Sequence, residues 1–359
     1  MNIAVIFGGR SCEHNISIAT GVQAANALLS TGNKIICIYI TREGVWKSGG
    51  DFFDCEVFRG DPGGRNVFFV PGDNRLHFRF LPKKVRIDCA VLCLHGKNGE
   101  DGTVQGLLEL CKVPYTGGNV LSSAAGMDKQ IMKKLFRADK LPALKCIAAY
   151  SREKNDYILK KTAFALGYPV IVKPARAGSS IGIGVAHDEE QLQGLLAAAF
   201  MWDDKIVIER ALENFSEFNC AVLGAENDVE ASRVEKPVSY SEFLTYDEKY
   251  HGKAKCGGDR QFPADIEPEL EEKIRALAIK TFRTIDAEGV ARVDFILDND
   301  TQKLYINEIN TIPGSLAMYL FPEKGRAGVL MKLVGLAVAR SRRQAALRYE
   351  YDDKLLAKG

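Results

Sequence analysis

The chain contains the run Arg292-Val-Asp294-Phe-Ile-Leu and, after the polar turn Asp298-Asn-Asp-Thr, the run Leu304-Tyr-Ile-Asn-Glu308-Ile-Asn310. Alternate residues of a β-strand project from one face, so each run presents its polar side chains together. A hairpin that turns near Thr301 places Asp294 opposite Glu308. The same register places Arg292 opposite Asn310, so the two runs predict one polar cluster on a sheet.

Two carboxylates that face each other across a sheet are unfavourable unless a positive charge lies between them. Carboxylate and amide oxygens suit Mg²⁺, which leaves most of its coordination positions to phosphates and water. The hairpin therefore predicts a metal–nucleotide site formed by Asp294, Glu308 and Asn310, with Mn²⁺ as an alternative metal. The competing interpretation is an exposed strand face with a solvated salt bridge.

The composition indicates a soluble globular protein of two or three domains, because 359 residues exceed what one compact core usually holds. A net charge of +2 argues against a nucleic-acid partner. Nine cysteines without paired spacing favour reduced thiols in the cytoplasm. No apolar run reaches membrane-spanning length, so no membrane insertion is expected.

The order of apolar runs and helical patterns predicts an α/β fold that is α+β in part. Strand, helix and strand patterns at the N-terminus indicate a small open domain with a largely parallel sheet, which ends at the turn 114–118. We expect three domains: 1–118, 119–208 and 209–359. The long segment 237–263, rich in Gly, Lys and Tyr, predicts a functional lid.

A second motif, Lys173-Pro-Ala-Arg-Ala-Gly-Ser179-Ser180-Ile-Gly-Ile-Gly, joins two strand patterns. Glycines let backbone N–H groups approach phosphate oxygens, serine hydroxyls add donors, and Lys173 adds a point charge. The motif predicts a phosphate loop on a β-hairpin, although a hairpin without a ligand is the alternative. Lys129, within a helical pattern, could approach the same phosphates.

The run Ile206-Val-Ile-Glu209-Arg210-Ala-Leu212 is typical of a hinge strand whose backbone faces an adenine edge, with Glu217 as a ribose ligand. A buried glutamate among apolar neighbours is otherwise costly. The alternative is that both glutamates are surface acids.

These motifs together resemble the D-alanine–D-alanine ligase family of ATP-grasp enzymes across nearly the whole chain. The matching runs, in order, are Phe7-Gly-Gly-Arg-Ser-Cys-Glu13-His14-Asn-Ile-Ser17, His95-Gly-Lys-Asn-Gly-Glu100-Asp-Gly-Thr-Val-Gln-Gly, Pro114-Tyr-Thr-Gly, Met127-Asp-Lys129, the lysine-and-glycine hairpin, Lys249-Tyr250, Arg292-Val-Asp294 and Asn307-Glu308-Ile-Asn310-Thr-Ile-Pro-Gly314. The resemblance implies three domains, with the nucleotide held between the central and C-terminal ones.

The family phosphorylates the carboxylate of one amino acid with ATP, and the amine of a second then attacks the acyl phosphate. This chemistry needs positive charge at the transferring phosphoryl group and the oxyanion. The resemblance implies catalytic roles for Glu13, Ser179, Tyr250 and Arg292, ATP binding by Lys129, Lys173, Ser180, Glu209, Arg210, Leu212, Glu217 and Lys249, and substrate binding by His95, Gly314, Tyr319 and Leu320. Without the resemblance, Glu13 could cap a helix, His95 could lie in a turn and Tyr250 could pack in the lid.

The sequence departs from the family pattern after Gly314, because Tyr319 occupies the position of a serine that contacts the carboxylate of the second substrate. A phenol can still donate a hydrogen bond but fills more volume. The run Glu242-Phe-Leu-Thr-Tyr-Asp-Glu-Lys249-Tyr250 is also unusual. Both changes resemble the branch related to D-alanine–D-serine ligases. Lactate-forming relatives carry histidine at the position of Tyr250, so Tyr250 favours an amine over a hydroxyl as the nucleophile.

The leading hypothesis is an ATP-dependent ligase that makes a D-alanyl dipeptide for peptidoglycan. Its expected partners are D-alanine and a second D-amino acid, and the resemblance suggests a homodimer. The alternatives are a D-alanine–D-serine ligase, an ATP-grasp ligase for other substrates and an inactive nucleotide-binding sensor. A nicotinamide-dependent oxidoreductase is disfavoured, because the first strand is not followed by GxGxxG.

Overall fold

The computed structural model describes residues 1–237 and 260–349. A seven-stranded sheet occupies the N-terminal part, in the spatial order β6-β5-β4-β3-β2-β1-β7. Its elements are β1 (Asn2–Gly8), α1 (His14–Leu29), β2 (Lys34–Ile40), β3 (Trp46–Ser48), β4 (Arg65–Val70), β5 (Asp73–Phe78), β6 (Lys84–Arg86), β7 (Cys89–Leu92) and α2 (Thr103–Leu110), with a 3₁₀ turn at Cys55–Arg59.

Only one edge of this first sheet is parallel. β1 lies between β2 and β7 and pairs with both in parallel, whereas β2 to β6 continue the sheet in antiparallel pairs. β1 is apolar along its length because helices or strands cover both of its faces. The expectation of a largely parallel sheet thus holds for three strands and not for the other four, which the sequence interpretation left unassigned.

A second sheet has four antiparallel strands in the order β10-β9-β11-β8. Its elements are α3 (Val120–Met127), α4 (Lys129–Ala138), β8 (Cys146–Tyr150), α5 (Asn155–Ala165), β9 (Val170–Pro174), β10 (Gly184–Ala186), α6 (Glu189–Phe200) and β11 (Lys205–Arg210). α5 and α6 pack on one face, where Ile158, Leu192 and Leu196 form the core with the strands. The other face carries Lys173 and Glu209.

The helical pattern around Asp128 forms two helices instead of the single helix expected from the sequence. The Asp128 side chain accepts hydrogen bonds from the backbone N–H groups of Gln130 and Ile131, and its backbone is extended. A side chain that caps a new helix end satisfies donors that have no partner within the helix. The break places Lys129 at the first position of α4.

A third sheet, in the order β13-β12-β16-β17, carries the hairpin predicted from the sequence. Its elements are β12 (Phe215–Ala225), β13 (Asp228–Ala231), α7 (Pro268–Thr284), β16 (Gly289–Asp298) and β17 (Lys303–Asn310); β14 (Lys236–Pro237) and β15 (Arg260–Gln261) form a separate pair. α7 and α4 cover the apolar face. The opposite face is polar and faces the second sheet.

The chain returns to the first sheet at its C-terminal end. A 3₁₀ segment at Gly314–Leu320, a short one at Pro322–Lys324 and α8 (Gly325–Ala345) share one apolar core with β1 and β7. Arg340 of α8 is buried and donates hydrogen bonds to the carbonyl oxygens of Tyr115 and Gly117. None of the helices in the described ranges is both long and apolar enough to cross a membrane.

Candidate active site

The hairpin β16–β17 has the register that the sequence predicts. Arg292 pairs with Asn310, and Asp294 pairs with Glu308. The register then shifts, so that Phe295 pairs with Ile306 and Asn307 is the extra residue of a β-bulge. A bulge re-aims side chains. Asn307 and Glu308 therefore both stay off the buried face that Ile306 and Ile309 occupy.

The polar side chains of this hairpin bind one another. Arg292 donates to both oxygens of Asp294, with Nε–Oδ1 at 2.6 Å and Nη2–Oδ2 at 2.8 Å. Asn310 Nδ2 donates to Asp294 Oδ2 at 3.0 Å. Burial alone would lower the pKa of Arg292, but the Asp294 carboxylate outweighs it and raises the pKa well above its usual range. Arg292 therefore remains a permanent cation beside the two carboxylates.

Lys129 reaches this hairpin from the start of α4. Its Nζ lies 3.3 Å from Glu308 Oε2 and donates to the carbonyl oxygen of Ala177 at 2.8 Å. Ala177 belongs to the glycine-rich loop, so one ammonium joins the loop to the acidic hairpin. The glycine-rich loop and the acidic hairpin are thus joined through Lys129, which the sequence interpretation expected beside this loop.

The loop itself lies on a β-hairpin, which confirms the strand–turn–strand prediction. β9 pairs antiparallel with β10 on either side of it. Ser179 and Ser180 have positive φ angles of 53° and 57°. Residues other than glycine are uncommon in this region, and such strain is concentrated at ligand sites.

Ser179 donates a hydrogen bond from Oγ to Glu13 Oε1. Glu13 follows β1 and precedes α1, so this contact joins the first sheet to the phosphate loop. The Glu13 side chain does not cap α1, although its residue is at the N-cap position. The capping alternative for Glu13 is therefore wrong for its side chain.

Two glycines surround the Glu13 carboxylate, which is only 7% exposed. A Cβ atom at Gly178 would lie 2.7 Å from Glu13 Oε2, and one at Gly96 would lie 2.8 Å from the same atom. Gly96 also has φ +72°, which disfavours any side chain there. Glycine at both positions gives the carboxylate its space.

His95 lies beside this group and is buried as a neutral imidazole. Burial lowers the pKa of His95 to about 4. Its Nδ1 lies 2.9 Å from the carbonyl oxygen of Ile312, which can only accept, so Nδ1 carries the proton. Its Nε2 then accepts from the Thr20 hydroxyl at 2.9 Å. Both ring nitrogens thus bond the protein, and His95 connects β7 to the segment that precedes Gly314.

Glu100 is a site residue to which the sequence interpretation gave no role. Its Oε2 accepts from Gly96 N at 2.8 Å and its Oε1 from Ile312 N at 3.2 Å. Burial and then the charge of Glu13 raise the pKa of Glu100 to about 8. The carboxyl group is therefore mostly protonated at neutral pH, and it fixes the glycine turn beside Glu13.

Glu209 is fully buried on β11, so the interpretation as a surface acid is wrong for this residue. Its carboxylate contacts Lys173 and Lys133. Glu217 lies on β12 opposite Ile296 and shares a sheet face with Asp294. Arg210 ends β11 and is exposed, and Leu212 follows it in a partly buried turn.

The Tyr319 hydroxyl donates its hydrogen bond to a protein partner. Its OH lies 3.1 Å from Glu235 Oε2 and donates to it, and the Arg260 guanidinium lies 4.6 Å from the ring centroid. Burial raises the pKa of Tyr319 to about 12, against the opposing charge of Arg292. The expectation that this phenol offers a hydrogen to a substrate carboxylate does not fit the hydrogen bond to Glu235.

The backbone before Tyr319 is unusual. Ser315, Leu316 and Ala317 all have φ of 50°, which forms a left-handed turn without glycine. Ser315 N is held by Thr20 Oγ1 at 3.2 Å. A Cβ at Gly314 would meet nothing within 4 Å, so open space adjoins this residue. Leu320 is buried in the core of the first sheet.

Lys249, Tyr250 and most of the predicted lid lie outside the described residues. The residues that the sequence interpretation missed are Thr20, Glu100, Lys133, Glu235 and Asn307. Lys133 had a signal, because it lies four residues after Lys129 and so on the same helix face, where Met132 and Phe136 are buried. The partners of Glu235 come from distant strands, and no local pattern indicates them.

Comparisons with known proteins agree with this geometry. The family model described as D-ala D-ala ligase N-terminus matches residues 2–118, and D-ala D-ala ligase C-terminus matches residues 136–334. The D-alanine–D-alanine ligase of Thermoanaerobacter sp. (strain X514) is 40% identical in an alignment of 358 positions that covers 94% of this chain and 96% of that protein.

Solved structures match over nearly the whole chain. The D-alanine–D-alanine ligase from Coxiella burnetii has a TM-score of 0.82 and 27% identity, and the match covers 96% of both chains. VanG D-Ala:D-Ser ligase from Enterococcus faecalis also has a TM-score of 0.82, with 30% identity, and the match covers 94% of this chain and 99% of that one.

The fold is that of the ATP-grasp enzymes, and the relatives are ATP-dependent ligases. The chain belongs to the D-alanine–D-alanine ligase family. This result confirms the family, fold and enzyme class expected from the sequence motifs.

Proposed function

We propose that this chain phosphorylates the carboxylate of D-alanine with ATP and joins the resulting acyl phosphate to the amine of a second D-alanine, giving the dipeptide used in peptidoglycan. The observation that carries the proposal is the hydrogen bond between Ser179 and Glu13. It joins an acid suited to a substrate ammonium with the loop suited to phosphates. Lys129 and Arg292 add the positive charge that phosphoryl transfer requires.

In this proposal Glu13 binds the ammonium of the first substrate, and Ser179 orients Glu13 together with Tyr250. Arg292 stabilises the charge that develops on the phosphoryl group and the tetrahedral oxyanion. Lys173, Lys129 and Ser180 bind phosphates. The backbone of the stretch from Glu209 through Arg210 to Leu212 faces the adenine, Glu217 binds the ribose, and Lys249 completes the nucleotide site.

The hairpin donors fit a divalent metal. Asp294 and Glu308 are opposite each other in the strand register, and Asn310 Nδ2 donates to Asp294 Oδ2, so three oxygen-bearing side chains share one region of the sheet face. Within the described ranges no cluster of three or more His, Cys, Asp or Glu side chains could hold a metal alone. Such a donor set suits Mg²⁺ or Mn²⁺, which would neutralise phosphate charge and take its remaining ligands from phosphates and water.

The second substrate enters beside Gly314 and Tyr319. D-Serine is the alternative second substrate, for two reasons. The D-Ala:D-Ser ligase of Enterococcus faecalis is among the matching structures. The Tyr319 oxygen, whose proton is directed at Glu235, keeps lone pairs that could accept from a substrate hydroxyl. His95 acts near the first substrate, whereas the side chain of Leu320 is buried in the core of the first sheet.

Three further expectations belong to the same proposal. The division into domains 1–118, 119–208 and 209–359 is supported by one sheet of four or more strands in each part, although β11 crosses the second boundary. A homodimer and a cytoplasmic location follow from the family. The near-neutral net charge of +2 is compatible with both.

The test is product analysis of the purified protein with Mg²⁺ and ATP. We expect ADP and phosphate to form only when D-alanine is present, together with D-alanyl-D-alanine, and mixtures with D-serine reveal the preferred second substrate. Nucleotide turnover that is indifferent to D-amino acids would end the proposal. Arg292→Ala should retain ATP binding but lose turnover, whereas Arg86→Ala, at an exposed position on the first sheet, should change neither.

A further inference from the structure

Three charged side chains meet inside the protein between α4, β9 and β11. Lys133 and Glu209 are 1% and 0% exposed, and Lys173 is also buried. Glu209 Oε1 lies 3.0 Å from Lys133 Nζ, and Glu209 Oε2 lies 3.2 Å from Lys173 Nζ. One carboxylate is therefore shared between two ammonium groups. We refer to Lys133, Glu209 and Lys173 as the buried triad.

The two lysines of the triad have different surroundings. Lys173 Nζ also donates to Asn307 Oδ1 at 3.1 Å, so it reaches the bulge of the acidic hairpin. Lys133 Nζ forms an ion pair with Glu209 and has no contact with the acidic hairpin among those of the described residues. Lys133 is therefore linked to the triad through Glu209, which it meets at ion-pair distance.

Burying Lys133 has a cost that the fold must offset. Burial lowers the pKa of Lys133, and the Glu209 carboxylate opposes that change. Burial would raise the pKa of Glu209, but Lys133 and then Lys173 lower it. A buried charge is retained only where a partner compensates it. A methionine would fill similar apolar space without that cost, so packing alone does not explain a lysine here.

Counting charges indicates what Lys133 contributes. Two ammonium groups and one carboxylate give the triad a net charge of +1. Without Lys133, Glu209 would pair with Lys173 alone and the net charge would be zero. Solvent and salt screen the interactions of buried charges much less than those of exposed charges. The charge that Lys173 offers to a phosphate therefore depends on the presence of Lys133.

We propose that Lys133 is a positioning residue for the nucleotide: it engages Glu209 so that Lys173 keeps a net positive charge and a fixed position toward the ATP phosphates. The proposal rests on the proposed function, because Lys173 acts there as a phosphate ligand. It assigns a role to a residue that does not itself reach the hairpin or the phosphate loop in any contact described.

The test is a charge-compensation experiment on nucleotide binding, measured by calorimetry with Mg²⁺ and the unreactive analogue adenylyl imidodiphosphate. Lys133→Met makes the triad neutral, and we expect its dissociation constant to rise at least tenfold. The double variant Lys133→Met/Glu209→Gln leaves Lys173 as the only charge and returns the triad to +1. We expect it to regain most of the affinity that Lys133→Met loses, because both carboxylate oxygens of Glu209 contact lysines and the adenine contact proposed for this residue is made by its backbone. Lys134→Met, at the next and exposed position of α4, should bind as wild type.

A purely structural role for Lys133 gives a different result, because the second substitution would then add to the damage of the first. Unchanged binding by Lys133→Met, or no recovery in the folded double variant, would overturn the proposal. If Lys133→Met does not fold, the double variant decides alone: near-native affinity supports the proposal, and lost affinity contradicts it. Wild-type protein that binds no nucleotide would refute the proposed function itself, before any variant is compared.

Discussion

The neutral, buried state of His95 gives a quantitative prediction about stability and pH. Its pKa falls from about 6.5 in the unfolded chain to about 4 in the folded one. Between these values the unfolded chain binds more protons, so acid lowers the free energy of unfolding as the pH falls below about 6.5. The full difference corresponds to about 3.4 kcal/mol, and the part lost between pH 7.5 and 5.0 is about 2 kcal/mol.

The perturbation is His95→Gln, since an amide can still donate to the Ile312 carbonyl and accept from Thr20 but cannot titrate. Packing defects of the variant are the same at both pH values and cancel in the comparison. Acidification from pH 7.5 to 5.0 removes about 2 kcal/mol of stability through His95 in wild type, and we expect the variant not to lose this amount.

The assay is urea denaturation at the two pH values, followed by circular dichroism. His187→Gln is the matched control, because His187 is exposed and should leave the pH dependence of wild type unchanged. An equal pH dependence in wild type and His95→Gln would refute the reasoning, because it would mean that His95 is not held neutral by the fold.

Three further predictions concern the surroundings of the site. Gly178→Ala places a Cβ 2.7 Å from Glu13 Oε2, so the KM for D-alanine should rise about tenfold, which corresponds to about 1.4 kcal/mol. Gly194→Ala is the control, because a Cβ there meets nothing within 4 Å and should leave KM unchanged. Tyr319→Phe removes a donor to a buried carboxylate, and urea denaturation should show a loss of about 1–2 kcal/mol; an unchanged midpoint would contradict that hydrogen bond. Glu100 has a raised pKa of about 8, so its own contribution to stability should fall as the pH rises from 5 to 8, against the opposite contribution of His95. Glu100→Gln should remove this contribution, so stability should rise more with pH in the variant than in wild type, and an equal pH dependence would contradict the raised pKa.

The hairpin β16–β17 was predictable because its information is local. Alternation fixes which side chains share a face, and a turn fixes which residues are opposite, so the pairing of Asp294 with Glu308 followed from the sequence. The bulge at Asn307 did not follow, since an extra residue in one strand leaves no mark in the pattern. It nevertheless brings Asn307 to Lys173.

Tertiary contacts limited the remaining predictions. The strands between residues 46 and 86 are short and form the antiparallel part of the first sheet. Apolar and polar residues alternate only weakly along them, so the sequence pattern does not identify them as strands. The helix break at Asp128 depends on a cap that an uninterrupted helical pattern hides. The position of Tyr319 in a motif predicts a donor role toward the substrate, but Glu235, which is 84 residues away along the chain, accepts that hydrogen bond.

The central claim is that these sheets bring ATP and D-alanine together so that a carboxylate oxygen attacks the terminal phosphorus. Incubation with Mg²⁺, ATP and D-alanine labelled with oxygen-18 in its carboxylate tests it directly. The account predicts that each dipeptide formed is accompanied by one phosphate that carries a single oxygen-18 atom, detected by mass spectrometry. Dipeptide formation with unlabelled phosphate would contradict the account.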